Sequence, residues 1–339
     1  MSERTPPNQP RAWRIGNVEI GGPLVLAPLA GFTSPPMRFL CRRAGAHLVF
    51  TEMVSCHGLY QGNRKTRRLL EIWEQEHPVA VQIFGGDPEI MAAGVAEVQE
   101  CGADIIDINM GCPVPKVIRS EGGAALMHDH GQAIEVARAV VDAADVPVTC
   151  KIRAGVKTND AGYLELALRL QDVGVAAISV HARTVAQAYH GEADHEHTAR
   201  LVEALDIPVI ASGDVYSPRT PASLIEDTGC SGVMFARGAI GRPWVFAQAA
   251  RVLRDEEPGV DPPPEQRLGL ALCHAQLMAQ YVGEVLAVHE MRGHLAWYTR
   301  GLPDSKRLRD RTNHVGSLGA LLELFMEYAA HLHETGGRR

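Results

Sequence analysis

The sequence predicts an α/β fold: a (β/α)8 barrel followed by a small all-helical domain. Three observations predict it. Eight short apolar runs rich in β-branched residues begin at positions 23, 47, 79, 103, 146, 176, 207 and 232. Each interval is long enough for a helix and two loops, the pattern of repeated strand–helix units. After PWVF (243–246) the strand signal ends and only helical periodicity continues. An open doubly wound sheet is the competing topology, but eight units in about 230 residues favour a closed barrel.

The elements follow in order. The strand runs read PLVLAPLAG, HLVFTEMVS, VAVQIFG, ADIIDINMG, VPVTCKIRAG, AAISVHART, IPVIASGDV and GVMFARGA. The helices between them carry start and stop signals. In GDPEIMAAGVAEVQECGAD, Asp87 fits an N-cap, Pro88 the first helical position and Gly102 the position past the end. Ile90, Met91, Val95 and Val98 form its apolar stripe. YSPRTPASLIEDTGC repeats the device with Ser217, Pro218 and Gly229. DEEPGVDPPPEQR, rich in proline and charge, reads as a domain edge. Helical patterns then run over about 265–282, 284–300 and 317–333. The expected division is residues 12–250 for the barrel and 262–335 for the helical domain.

Composition removes several classes. With 339 residues and 46% hydrophobic content the chain is neither small nor disordered. No run of about eighteen apolar residues marks a membrane span. The opening MSERTPPNQPRAWRIG lacks the apolar core of a secretory signal, so a cytoplasmic protein is expected. The seven cysteines are odd in number, scattered and without a C-x-x-C pair. A disulfide framework, a zinc ribbon and a four-cysteine cluster are therefore not expected, and no metal site is predicted. Net charge is −7, which alone argues against nucleic acid. The charge is segregated, however. EMRGHLAWYTRGLPDSKRLRDRT carries six Lys/Arg against three Asp/Glu, and NRKTRR (63–68) is a second basic cluster.

Active sites of such barrels lie at the C-terminal ends of the strands. Those ends are unusually polar here. Strand one ends in Pro28-Leu29-Ala30, strand three holds Gln82, and strand four ends in Asn109 and Cys112. Strand five carries Lys151 and Arg153, strand six His181 and Arg183. Strands seven and eight end in Ser212-Gly213-Asp214 and Ala236-Arg237-Gly238. The last two loops are glycine-rich and precede helices, which suits a phosphate group. No G-x-G-x-x-G fingerprint points to a Rossmann dinucleotide site. Flavin mononucleotide (FMN) fits, with Gln82 at the ring edge and Lys151 near the part that becomes negative on reduction. Cys112, between Gly111 and Pro113 just past an apolar strand, is displayed rather than buried.

These residues amount to a resemblance. APLAGFTSPPMR, TEMVS, VQIFGGDP, DINMGCPVPKV, GGAALM, CKIRAG, VHART, SGDV, ARGAIGRPW and MRGHLAWYTRGLP resemble the bacterial tRNA-dihydrouridine synthase family, its B-type branch most. The resemblance spans residues 12–312 and implies reduction of the C5–C6 double bond of a D-loop uridine in tRNA. It implies hydride from reduced FMN to C6, FMN recharged by NADPH, and a proton from Cys112 to C5. A thiol of ordinary pKa, about 8.5, is mostly protonated at pH 7 and suits that donor role. Carried over by position, Pro28, Leu29, Ala30, Gln82, Lys151, His181, Ser212, Gly213, Asp214, Ala236, Arg237 and Gly238 would hold the cofactor. Asn109 would face the target base, and Arg183, Gln187 and Tyr189 would line the mouth for an extruded nucleotide. Arg292, Arg300, Lys306, Arg307 and Arg309 would grip the tRNA backbone. Trp297 and Tyr298 read as helix core.

The chain departs from the family pattern in places. Val185 replaces an arginine, His195 a tryptophan, Ser212 an asparagine and Ala236 a glycine. The implied partner is tRNA, with neither DNA nor membrane, and the implied state a monomer. Two other readings are kept open: an FMN-dependent barrel oxidoreductase acting on a small molecule, and a non-enzymatic RNA-binding or regulatory protein.

Overall fold

A computed structural model of the chain describes residues 12–336. The N-terminal stretch on which the leader reading partly rests lies outside them. A two-stranded antiparallel hairpin comes first, β1 (Trp13–Ile15) and β2 (Val18–Ile20). Its two-residue turn is Gly16-Asn17, with Gly16 at positive φ as hairpin turns require. Ile15 and Ile20 are fully buried and join the interior of the sheet, so the hairpin plugs one end of the barrel.

The barrel strands are β3 (Leu24–Leu26), β4 (Leu48–Phe50), β6 (Val79–Phe84), β7 (Ile105–Asn109), β8 (Val148–Arg153), β9 (Ala177–His181), β10 (Val209–Ser212) and β11 (Gly232–Phe235). All pair in parallel, and β4 pairs with β6 while β11 pairs with β3, which closes the ring. A short β5 (Val54–Ser55) continues the second strand along β6. Phe50 opposes Ala80 and Val54 opposes Ile83, so the interrupted strand carries one extra residue, a bulge. It brings Met53 to the C-terminal mouth.

Around the ring pack α1 (Pro35–Arg43), α2 (Cys56–Tyr60), α3 (Arg64–Arg68), α4 (Pro88–Glu100), α5 (Pro115–Ile118) and α6 (His130–Ala143). Then come α7 (Gly162–Asp172), α8 (Glu196–Ala204), α9 (Thr220–Thr228) and α10 (Val245–Val252). In α4, Asp87 accepts from Glu89 N and Ile90 N at 2.9 and 3.1 Å and the stripe Met91, Val95, Val98 is buried. Helix α9 departs from expectation. Ser217 accepts from Arg219 N in a local turn, and the helix starts at Thr220 with Pro221, not Pro218, in its first turn.

The chain ends in α11 (Pro264–Val282), α12 (Glu284–Tyr298), α13 (Ser305–Thr312) and α14 (Leu318–Gly336). The sequence periodicity missed α13, whose eight residues bury only Leu308 and Thr312 and leave too short a stripe to register. The four helices share a core that includes Leu268, Met278, Met291, Leu295, Tyr298, Leu321 and Phe325. They are fastened to the barrel at its C-terminal side. Tyr281 OH donates to Arg68 O at 2.9 Å, Arg68 pairs with Glu290, and Phe32 packs edge-on against His294. Gly241 (φ +64°) packs against the end of α12, where a Cβ would lie 2.5 Å from Tyr298 N. Only glycine fits that junction.

Candidate active site

A cavity of about 420 Å³ opens at the C-terminal ends of the strands. That volume lies within the usual range for small-molecule sites. Its floor comes from adjacent strands in register: Gln82 opposite Asp107, Asn109 opposite Lys151, and Ser212 opposite His181. Side chains one strand apart on the same face must meet.

The floor is a fixed polar chain. Thr149 Oγ1 and Gln82 Nε2 donate to the two oxygens of Asp107 at 2.6 and 2.7 Å. Asn109 Nδ2 donates to Gln82 Oε1 at 2.8 Å. Asn109 Oδ1 then accepts the backbone N–H groups of Gly111 and Cys112 at 3.3 and 3.0 Å. Asn109 therefore caps the loop that carries Cys112.

That loop is held from two further sides. Arg153 Nε donates to Gly111 O at 2.7 Å, and Ala124 N to Cys112 O at 3.0 Å. The GGAALM segment explains itself here. A Cβ on Gly123 would lie 2.7 Å from Cys112 O, and one on Gly122 would lie 3.0 Å from Gly85 N. Two glycine pairs, Gly85-Gly86 and Gly122-Gly123, let the two loops meet backbone to backbone. Cys112 itself is half-buried and lines the cavity.

Cations dominate the walls. Arg153 is 2% exposed, and besides Gly111 O it donates to Thr184 O and Ala188 O. Arg237 is exposed and sits between the rings of Tyr189 and Tyr216, 5.4 and 5.6 Å from their centroids. The Lys151 side chain makes no hydrogen bond or ion pair among the described residues. Burial, with Arg153 nearby, lowers its pKa to about 8 against the pull of Asp107, so it is a cation at neutral pH with no carboxylate in contact among the described residues. His181 is pushed down to about 2 by burial and by Lys151, Arg153 and other cations, and is neutral. Asp107 is raised to about 6 by burial, against its hydrogen bonds from Gln82 and Thr149. The cavity thus presents excess positive charge and one thiol on a braced loop.

The dihydrouridine synthase family model matches residues 25–331. The chain belongs to the dihydrouridine synthase family. Making a dihydrouridine from a uridine is a reduction, so this member is an oxidoreductase. The chain is 38% identical over 324 residues to tRNA-dihydrouridine synthase B of Pseudomonas aeruginosa, covering 95% of this chain and 97% of that one. It is 39% identical over 303 residues to the Pseudomonas putida protein of the same name, covering 89% and 90%. Among solved structures it resembles histamine dehydrogenase from Rhizobium sp. 4-9, with a TM-score of 0.58 at 12% identity. That match covers 79% of this chain and spans half the length of the dehydrogenase. It also resembles TcOYE, solved with pHBA, with a TM-score of 0.57 at 12% identity, covering 76% of this chain and 95% of that one. These two likenesses concern the barrel fold.

Most residues anticipated for a dihydrouridine synthase site line the cavity. Pro28, Leu29, Ala30, Gln82, Asn109, Cys112, Lys151, His181, Arg183, Tyr189, Ser212, Gly213, Asp214, Ala236 and Arg237 all do so. Several are committed to partners the sequence did not disclose. Arg183, expected at the mouth, is 3% exposed and grips both oxygens of Asp214 at 2.8 and 2.7 Å. Asp214, expected on the cofactor, lines the cavity and is also the counter-ion of Arg183. Gln187 stays off the cavity and closes a turn, its Oε1 accepting from Thr184 N. Gly238 also stays off it, because a Cβ there would lie 2.3 Å from Val215 O.

Arg292, Arg300, Lys306, Arg307 and Arg309 lie outside the cavity on the helical segment. Lys306 and Arg307 are exposed, and Arg300 lies over Trp297. Trp297 itself lines the cavity, whereas Tyr298 is buried against His274. Phe32, Met53, Val114 and Tyr216 are lining residues that sequence reasoning missed. Each lies within or beside a quoted motif, so the signal was position past a strand end. His195 braces Gly213 O through its ring Nε2 at 3.1 Å. Among the described residues no helix is long and apolar enough to cross a membrane, and no cluster of three potential metal ligands occurs.

Proposed function

We propose that the protein is a B-type tRNA-dihydrouridine synthase that uses FMN and NADPH to reduce a D-loop uridine, with Cys112 as proton donor. The reading rests on one observation above others. A half-buried thiol on a loop fixed from three sides lines the same cavity as Lys151, His181 and Arg237.

The donor set suits a flavin bearing a phosphate. Lys151 and Arg237 line the cavity without a carboxylate partner among the described residues, and an anionic phosphate or reduced ring would supply one. Pro28, Leu29, Ala30 and Gln82 would flank the ring, with Ser212, Gly213, Ala236 and Arg237 at the phosphate end. When bound, reduced FMN supplies hydride to C6 of uracil, and NADPH restores it. The protein's own part is the proton. The Cys112 S–H bond breaks, its hydrogen goes to C5, and the thiolate regains a proton from water at the mouth. Lys151 would offer positive charge to the part of the ring that becomes negative on reduction.

The target base lies inside a folded RNA and must be extruded to reach the cavity. Tyr189 stands exposed at the mouth and offers a stacking face. Residues 262–335 would bind the tRNA backbone through Arg292, Arg300, Lys306, Arg307 and Arg309, while residues 12–250 do the chemistry. A cytoplasmic, monomeric enzyme fits this work. The test is to incubate the purified protein with NADPH and tRNA from cells that lack dihydrouridine, then map the product by mass spectrometry. Dihydrouridine within the D-loop supports the reading. A flavin-loaded protein that oxidises NADPH and leaves the tRNA unchanged would move the substrate to a small molecule.

A further inference from the structure

The hydrogen bonds under the cavity run in one direction, held at the loop end by the donors Gly111 N and Cys112 N and at the buried end by Asp107. A carboxylate only accepts hydrogen bonds. Asp107 is fully buried, and both its oxygens are occupied by Thr149 Oγ1 and Gln82 Nε2. Gln82 must therefore turn its amide nitrogen toward Asp107 and its oxygen away. That oxygen meets Asn109 Nδ2, so Asn109 must turn its own oxygen toward the backbone N–H groups of Gly111 and Cys112. The other N–H of Asn109 points toward Met53 Sδ at 4.0 Å. Two amides that are symmetric in shape are thus each locked in one of two orientations.

We infer that Asp107 is a positioning residue for Cys112: its carboxylate fixes the polarity of the Asp107–Gln82–Asn109 chain and thereby the cap that holds the Cys112 loop. The inference rests on Cys112 being the proton donor for its effect on rate, and on geometry alone for its effect on the loop. Burial raises the Asp107 pKa only to about 6 against its hydrogen bonds from Gln82 and Thr149, so it is mostly ionised at neutral pH and the direction is defined under working conditions. The isosteric Asp107→Asn offers an amide in place of the anion. Its side chain can present oxygen or nitrogen to Gln82, so the later amides are held only by the loop N–H groups and the reversed arrangement becomes populated. A reversed Asn109 would present N–H groups to the N–H groups of Gly111 and Cys112, and the cap would fail.

The chain can be restored without restoring Asp107. In Asp107→Asn with Gln82→Glu the carboxylate moves one link along. Asn at 107 donates to it, and it still only accepts from Asn109. The cap on Cys112 returns although the charge now sits elsewhere.

The experiment compares wild type, Asp107→Asn and the double variant, each purified with its natural cofactor content. The first readout is the alkylation rate of Cys112 by iodoacetamide, followed by mass spectrometry of its peptide. It should rise at least threefold in Asp107→Asn and return to within about 1.5-fold of wild type in the double variant. The second is rapid kinetics of the two half-reactions. Asp107→Asn should slow the tRNA-dependent step at least tenfold at saturating tRNA and leave reduction by NADPH within threefold. Unchanged alkylation and an unchanged tRNA step in Asp107→Asn would overturn the inference. So would a changed alkylation rate that the double variant fails to restore, since Asp107 would then act by charge or packing. Failure of the proton-donor reading looks different: alkylation follows the expected pattern while Cys112→Ala still makes dihydrouridine at the wild-type rate.

Discussion

The loop that carries Pro28, Leu29, Ala30 and Phe32 into the cavity is anchored by one buried ion pair, and cutting it is a quantitative test of the architecture. Arg38 is 1% exposed and Glu76 fully buried, with Nε to Oε2 at 2.6 Å. Arg38 also donates to Thr33 O and Glu71 O, both at 2.7 Å. One side chain thus ties α1, the loop after β3 and the segment before β6. Arg38→Met keeps much of the volume and removes the charge. Glu76, whose pKa burial already raises against the pull of Arg38, is left as a lone buried carboxyl. Removing one partner of such a pair costs about 3–5 kcal/mol. For a chain of this length each kcal/mol moves Tm by about 1.4 °C, so a fall of about 4–7 °C is expected. Arg38→Met with Glu76→Leu replaces the pair by apolar groups and should recover most of that loss. Thermal melts with parallel flavin absorbance give both numbers. A single variant within about 1 kcal/mol of wild type would refute the assigned role. A double variant no better than the single would refute it as well.

Three further outcomes follow from particular groups. Lys151 loses its proton as pH rises through about 8, so reduction by NADPH should fall about tenfold per unit above that pH; Lys151→Arg should keep a flat profile, and a persistent alkaline limb would reassign it. Gly238→Ala places a Cβ 2.3 Å from Val215 O, so the phosphate-end loops must separate; the flavin-to-protein ratio should drop with the fold intact, and full retention would contradict the packing. Asp107 has a folded pKa about two units above its usual 3.8, so its ionisation costs the fold on the order of 3 kcal/mol above pH 6. Stability from this group is full below pH 4 and lost as pH rises through 6. The Tm of Asp107→Asn relative to wild type should therefore rise between pH 4 and pH 8, whatever the constant cost of the loosened hydrogen bonds; a relative Tm that falls over that span would contradict the sign.

The barrel was legible because its signal is local. Each strand is a short apolar run, and each helix such as α4 carries its own cap and stripe. The hairpin β1–β2 was missed because three-residue strands amid polar residues leave little pattern, although Gly16-Asn17 marks its turn. The site was legible as a set of strand ends, since the barrel brings those together whatever their separation. Their pairings were not. Arg183 and Asp214 stand 31 residues apart, and Gln82 and Asp107 stand 25 apart. Only strand register puts Gln82 opposite Asp107 and gives it that partner. Trp297 was hidden for a similar reason. Its neighbour Tyr298 does enter the helix core, and one step around α12 separates core from cavity.

The central claim is that Cys112 delivers the proton to a uridine in tRNA. The most direct measurement is dihydrouridine formed per tRNA by wild type and Cys112→Ala, both flavin-loaded and matched for tRNA affinity and for reduction by NADPH. The account predicts D-loop dihydrouridine from wild type and a loss of at least a hundredfold in the variant. Equal yields from both proteins would contradict it.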